Sequence, residues 1–342
     1  MKLEHEKYTL RLSTTRRIAT GEFDSKDVIF LNYFYDDIVG IGETAPIQQL
    51  GEDYASINAW FPKIQDDVPG NPEEIKSTSD ILSEKKVPNS VIAGIDMCLY
   101  DILGKIRNMP LYSMLGLAYS PHGPVSKTIY INTPLKMIEQ AVKFKGYPLI
   151  KLKLDGKLDL SIVKKIHEAS GYAKLIIDSN EGWNVDEAID KIRFLNRYDY
   201  ILFFEQPTRA HDLSGLEAIK RKVNAPIFLD EDIVSIKDLD TYRGLVEGVS
   251  LKIQKCGGIY KTIEMITRAR KHSFKILLSS YIESAISITA AAHLIPLIDY
   301  CDLDGNIYVT NEKYNGAYID SKGDMIIPPR SGIGLTKITT LH

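Results

Sequence analysis

Five charged residues, Lys153, Asp178, Glu205, Asp230 and Lys252, lie 25, 27, 25 and 22 residues apart, each within or at the end of a short apolar run. One β-strand, a helix and the two turns that join them take about 25 residues, so the rhythm decorates the same end of five consecutive strands. Two ammonium and three carboxylate groups at such places are tolerable only if they meet one another or a metal ion. This constraint selects a repeating β/α fold with a polar mouth.

The rest of the chain agrees. After Pro121 and Pro124, apolar strands alternate with amphipathic helices, and the strands expected are Lys127 to Asn132, Leu149 to Leu154, Leu175 to Ser179, Ile201 to Gln206, Ile227 to Asp230, Val249 to Ile253, Ile276 to Ser279 and Tyr300 to Leu303. Eight strands joined by helices favour an α/β parallel barrel over an open sheet. Ahead of them, Tyr8 to Thr20 reads as a strand running into a loop, and Asp27 to Phe34, Asp36-Asp37 and Ile38 to Ile41 as a β-hairpin. A helix over Ser90 to Ile106 follows, with Asn89 or Ser90 as its N-cap. Beyond Asp304 the pattern becomes an extended tail expected to pack back on the N-terminal part. The expected division is an α+β domain over 1–118, the barrel over 119–318 and a terminal segment over 319–342.

Composition narrows the function classes. With 342 residues, a formal net charge of −3 and dispersed basic residues, the chain has no polyanion-binding patch, which excludes nucleic acid and acidic membrane surfaces as expected partners. Cys98, Cys256 and Cys301 have unrelated spacings and read as buried hydrophobes of a reducing compartment. With no apolar leader and no long apolar run, a cytoplasmic protein is expected. The histidines, His293 included, have no metal-ligand spacing.

Residues two apart in a strand share a face, so Lys151 and Lys153 point the same way. Two close ammonium groups depress each other's pKa, which would make one of them a base near neutral pH. Asp178, Glu205 and Asp230 end neighbouring strands, and an all-oxygen set suits Mg²⁺, one per subunit; separate salt bridges to helix residues are the alternative. On the sixth strand of a closed ring, Lys252 faces Lys153 from the opposite side, as two bases of a racemase or epimerase would. A positioned base supplies only about 10² to 10⁴-fold. Most of the acceleration of a carbon-acid reaction must then be electrostatic, from the metal and Lys151.

Lys151-Leu-Lys153, Asp178-Ser-Asn180, Glu205-Gln-Pro207, Asp230-Glu231, Lys252 and Ser280-Tyr-Ile-Glu283-Ser284, with Gly40-Ile-Gly-Glu43 and Gly332-Ile-Gly334 at the ends, resemble the enolase superfamily and its muconate-lactonizing subgroup. A lysine base with Mg²⁺ stabilising an enediolate is that superfamily's pattern. The resemblance implies a modified TIM barrel, (β/α)7β, with a capping domain completed by the C-terminal tail. Asp302-Leu-Asp304 looks like the paired aspartates by which dipeptide epimerases hold a substrate's α-ammonium group, although Asp-x-Asp-Gly is also an ordinary turn. The implied activity is isomerisation of a dipeptide: Lys153 and Lys252 would exchange the α-proton of its C-terminal residue through the metal-stabilised enediolate. Thr128 and Ser280 are further pocket candidates. Two N-terminal loops, about Thr15 to Ser25 and Pro46 to Tyr54, would set specificity. Thr20 falls near the place where glutamyl-specific relatives carry an arginine, while Arg16 and Arg17 lie earlier. The alternatives are a cycloisomerase, an o-succinylbenzoate synthase or an N-acylamino acid racemase of the same subgroup, a Schiff-base aldolase on the same barrel, or a non-enzymatic binding barrel. Monomer and homo-oligomer are both open.

Overall fold

The computed structural model describes residues 2–69, 71–119 and 123–339; of the two prolines at the change of pattern, Pro121 lies outside them. The chain opens with an antiparallel sheet of β1 (Lys2–Ile18), β2 (Gly21–Tyr35) and β3 (Ile38–Thr44). The strand expected from Tyr8 runs further than expected before its loop: after a register shift beyond Arg11, Arg16 pairs with Phe23 and Ile18 with Gly21, and only Ala19 and Thr20 form the turn. Thr14 and Thr15 look like loop residues because they carry no apolar face, but a two-stranded ribbon that projects from the sheet needs none.

The helix Asn89–Ile106 packs on this sheet and is buried on all sides from Ser90 to Gly104. Pro88 is its N-cap, without a side-chain hydrogen bond, in place of the expected Asn89 or Ser90. Asn89 Nδ2 instead donates to the Lys255 carbonyl at 2.7 Å, which ties the helix to the barrel. Helix and sheet meet through glycines: a Cβ on Gly94 would stand 2.3 Å from Thr44 Oγ1, and one on Gly42 would stand 2.1 Å from the Gly94 carbonyl oxygen. Gly94→Ala should therefore cost about 1–3 kcal/mol of stability, read as a lower Tm; an unchanged Tm would show that the helix can lift off β3 freely.

Eight parallel strands follow in sequential order: β4 (Lys127–Ile129), β5 (Leu149–Lys153), β6 (Lys174–Asp178), β7 (Ile201–Glu205), β8 (Ile227–Leu229), β9 (Gly248–Leu251), β10 (Lys275–Ser279) and β11 (Tyr300–Asp302). Each of the seven connections between them contains a helix, from Pro134–Lys143 to Ala285–Ala292. The ring closes at the seam between β4 and β11, where Ser126 N donates to the Cys301 carbonyl at 2.8 Å beside a Val125–Cys301 bridge. The fold is thus the expected (β/α)7β barrel with a separate N-terminal domain.

Strand periodicity sorts the barrel interior into layers. Leu149, Ile176, Phe203, Phe228 and Leu277 form an apolar floor of their own, with Phe203 and Phe228 stacked at 3.9 Å. Gly248 leaves room for that floor, since a Cβ there would stand 2.3 Å from the Phe228 ring. Two residues further along the same strands come Lys151, Asp178, Glu205, Asp230 and Ser279. The alternation that builds the floor therefore aims the charged groups into the mouth above it.

The terminal segment returns to the first domain: Gly332 N donates to Met109 O, Leu111 N to Gly332 O, and Ile333 N to Asp101 Oδ1 at 2.9 Å. His293 bridges the same region, accepting from Tyr112 N at Nδ1 and donating from Nε2 to Ile333 O. Burial pushes its pKa down to about 4, so it is a neutral structural residue. All three cysteines are buried and unpaired. Among the described residues no helix is long and apolar enough to cross a membrane.

Candidate active site

Register aligns the functional side chains. Lys153 pairs with Asp178 and Asp178 with Glu205 across β5, β6 and β7, and Ser279 pairs with Asp302 across β10 and β11. Asp230 and Lys252 follow β8 and β9 directly. Lys151, Lys153, Lys252, Thr128, Ser280, Asp302 and Asp304 all line one cavity of about 220 Å³. Its outer wall comes from both N-terminal segments, including Ile18, Phe23 and Lys26 from the β1–β2 hairpin and Gln48 from the following loop. The hairpin tip is seated on the barrel by Ile131 N donating to Arg17 O at 3.0 Å.

Lys151 Nζ is the centre of the charge cluster, 3.0 Å from Asp178 Oδ2, 3.0 Å from Glu205 Oε2 and 2.8 Å from Asp302 Oδ2. Burial opposes its charge, but Asp178, Asp302 and Glu205 together raise its pKa well above the usual lysine value. Repulsion within the Lys151–Lys153 pair was expected to make one of the two a base; at Lys151 the carboxylates in contact outweigh the neighbouring ammonium and keep it in the charged, electrostatic role. Lys153 Nζ lies 2.5 Å from Asp178 Oδ2 and 2.8 Å from Asn180 Oδ1. Lys252 Nζ lies 2.5 Å from Asp230 Oδ2 and 4.2 Å from the centroid of the Tyr281 ring. Its pKa is also raised, against burial, by Asp230.

The carboxylates differ in their surroundings. Burial would raise Asp230, but Lys252 and Lys255 hold it far below the usual range. Glu205 is pushed up to about 7 by burial, with Lys151 opposing and the neighbouring aspartates adding to the rise. Glu205 Oε2 is buried and has no hydrogen bond, although Lys151 is within ion-pair distance. Asp302 is fully engaged: Ser126 Oγ donates to Oδ1, and Lys151 and Ser279 Oγ donate to Oδ2, both at 2.8 Å. Asp304 accepts from Thr128 N at 2.7 Å, and burial together with Asp302 pushes it up to about 7. Among the described residues no three His, Cys, Asp or Glu side chains are spaced to hold an ion in this arrangement; ammonium groups stand between the carboxylates.

Several site residues escape a sequence reading. Lys255 is 2% exposed and donates to Asp230 Oδ1 at 2.6 Å and to the Ser250 carbonyl at 3.1 Å. Its only trace is its place one helical turn after Lys252, in a stretch, Ile253-Gln254-Lys255-Cys256, that is wholly buried. Gln206 Oε1 accepts from Asp230 N at 2.9 Å while its Nε2 donates to Asp232 at 2.7 Å, locking the ends of β7 and β8 together. Gln206 and Asn180 hold positive φ angles, 37° and 41°, within two residues of the ends of β7 and β6, a strain that clusters at functional sites.

A sequential eight-strand barrel with helical connections, an antiparallel cap and a lysine and carboxylate ring at the strand ends is the architecture of an enolase-superfamily enzyme. The chain belongs to that superfamily's mandelate racemase and muconate lactonizing enzyme family: the family's N-terminal domain matches residues 6–116 and the enolase C-terminal domain-like model matches 135–337. It is an isomerase of racemase type. It is 28% identical over 340 residues to an L-Ala-D/L-amino acid epimerase of Maribacter sp., covering 98% of this chain and 99% of that protein. It is 30% identical over 345 residues to a hydrophobic dipeptide epimerase of Enterococcus faecalis, covering 96% of each. The crystal structure of a dipeptide epimerase from Enterococcus faecalis V583, complexed with Mg and L-Leu-L-Tyr, superposes with a TM-score of 0.91 at 27% identity over 98% of both chains.

Proposed function

We propose that this protein epimerises dipeptides at the α-carbon of the C-terminal residue, with Lys153 and Lys252 as the two bases. The observation that carries this reading is that these ammonium groups line one cavity, from β5 and from beyond β9, second and sixth in a ring of eight. Bases on opposite walls can remove a proton from one face of a carbon and return one to the other. The epimerases among the relatives support the substrate class. The chain divides in this reading into a cap over 1–118, a barrel over 119–318 and a terminal segment over 319–342.

The residues fit a divalent cation. Asp178, Glu205 and Asp230 offer only hard oxygen donors, and Glu205 Oε2 is a buried acceptor with no hydrogen bond, which suits Mg²⁺. When bound there, Mg²⁺ would supply positive charge against the substrate carboxylate as its α-proton leaves. Lys151 adds a second fixed positive charge beside that carboxylate. Lys252 is kept protonated by Asp230, so engagement of Asp230 elsewhere removes the interaction that opposes its acting as a base. Asp304, on the wall with Thr128, and Asp302 beyond it present the anionic side to the substrate's amine, with Ser280 on the neighbouring rim.

Dipeptides incubated with the enzyme and Mg²⁺ in deuterated buffer should exchange the α-proton of the C-terminal residue, read by NMR, and a chelator should stop the exchange until Mg²⁺ is restored. Absence of exchange across a dipeptide library would refute the proposal. One observation favours an N-acylamino acid racemase as the second reading: Asp302 is already engaged by Ser126, Lys151 and Ser279, and Asp304 by Thr128 and Tyr308, so neither carboxylate stands free for an amine. Exchange in N-acylamino acids but not in dipeptides would select it.

A further inference from the structure

Four lysines line the cavity, and Lys26 is the one whose ammonium has no carboxylate within ion-pair distance among the described residues. Lys151, Lys153 and Lys252 are each paired. Lys26 sits on β2, half-buried, and its Nζ makes a single hydrogen bond, to the Pro46 carbonyl. An ammonium has three donors, so two remain to be satisfied from the cavity side. The adjacent Asp27 belongs to the other face of the strand and pairs with Lys7 at 2.7 Å.

The nearest acids do not supply the missing partner. Glu43 is taken up by Ser284 and Ser287, Glu52 by Ile47 N and Ser90 Oγ, and one oxygen of Glu283 by Tyr281 N. They act on Lys26 only at a distance, and burial still pushes its pKa down. Glu22 also lines the cavity, but it is exposed near the hairpin tip, where solvent and salt screen it. Lys26 lies 5.9 Å from the centroid of the Tyr281 ring, against which Lys252 also rests at 4.2 Å. It therefore stands on the Lys252 wall, away from Asp302 and Asp304 at the β4–β11 seam.

We infer that Lys26 is a specificity-determining residue that receives a negatively charged side chain on the C-terminal residue of the substrate, so that the preferred dipeptides end in an acidic residue. The inference rests on the dipeptide reading above and specifies its substrate. The cavity then has an anionic side for the amine and a cationic wall for the second side chain, with the exchanging carbon between them.

The test compares kcat/KM for Ala-Glu and Ala-Asp with Ala-Gln, Ala-Leu and Ala-Lys, followed by α-proton exchange. The native enzyme should prefer Ala-Glu over its isostere Ala-Gln by roughly 10- to 100-fold, the worth of a hydrogen-bonded charge. Lys26→Met should remove that ratio, Lys26→Arg should keep it, and Lys26→Glu should shift preference to Ala-Lys. Failure of every dipeptide to exchange would overturn the function itself. Exchange with no preference for acidic over neutral dipeptides, or a ratio unaltered in Lys26→Met, would overturn only the inference and leave Lys26 as a tie to Pro46. The Ala-Glu to Ala-Gln ratio of the native enzyme decides the matter even if a variant fails to fold.

Discussion

Lys252→Ala is expected to abolish epimerisation while leaving Mg²⁺ binding close to that of the native protein. A positioned base or acid contributes about 10² to 10⁴-fold, or roughly 3 to 5 kcal/mol, and in a two-base exchange the loss falls on both directions of inversion. The variant should still fold, because Lys255 continues to hold Asp230 through both its carboxylate and its carbonyl. It should also retain one half of the chemistry: with Lys153 in place, one epimer alone exchanges its α-proton for deuterium without inverting. Lys153→Ala should show the mirror pattern. Calorimetric Mg²⁺ titration and exchange of the separate epimers make the measurement, and epimerisation by Lys252→Ala at the native rate would rule out the two-base assignment.

Lys151→Met is expected to cause the largest loss of stability. Lys151 is 2% exposed and is the shared counter-charge of Asp178, Glu205 and Asp302. Removing one partner from a buried ionic cluster costs about 3–5 kcal/mol because the remaining charges stay buried, which lowers Tm by on the order of 10 °C for a chain of this size. The pH dependence has a definite sign. Carboxylates stripped of their cation have folded-state pKa values above the unfolded ones, so the deficit is fully developed above those raised values and shrinks as pH falls through them. Glu205, pushed up to about 7 even beside Lys151, should be the first to protonate. Mg²⁺ should restore more stability to the variant than to the native protein, since it meets carboxylates with no other cation. A variant with native Tm in chelator would mean that Lys151 is not the balancing charge.

The barrel was legible because its strands are buried on both faces, leaving continuous apolar runs in which a terminal charge stands out. Leu-Ile-Ile-Asp178 and Leu-Phe-Phe-Glu205 show the pattern, and β6 and β7 end on those charged residues. The β1–β2 hairpin was not legible, since a ribbon projecting over a cavity is held by its backbone ladder and carries no burial pattern. The partners that keep Lys151 charged were hidden for a related reason. Spacing brings Lys151 beside Lys153, but only the closed ring brings Asp302, 151 residues away in sequence, to 2.8 Å. Lys255 and Lys26 share that limit: in the sequence each is an ordinary polar position, and only the surrounding walls show that one is fully paired and the other is not.

In the proposed function, the seam between β4 and β11 links the order of assembly to substrate recognition. Asp178, Glu205 and Asp230 belong to strands that follow one another, so they can gather as soon as the middle of the sheet forms. Asp304 is fixed by Thr128 and Asp302 by Ser126, each pair 176 residues apart and joined only across the seam. An incomplete sheet would own the proposed cation cradle but lack the proposed amine site. Under the proposed function, recognition of the substrate's free end thus waits for the ring to close, and a half-built barrel that captures a cation still has no means of selecting what it acts on.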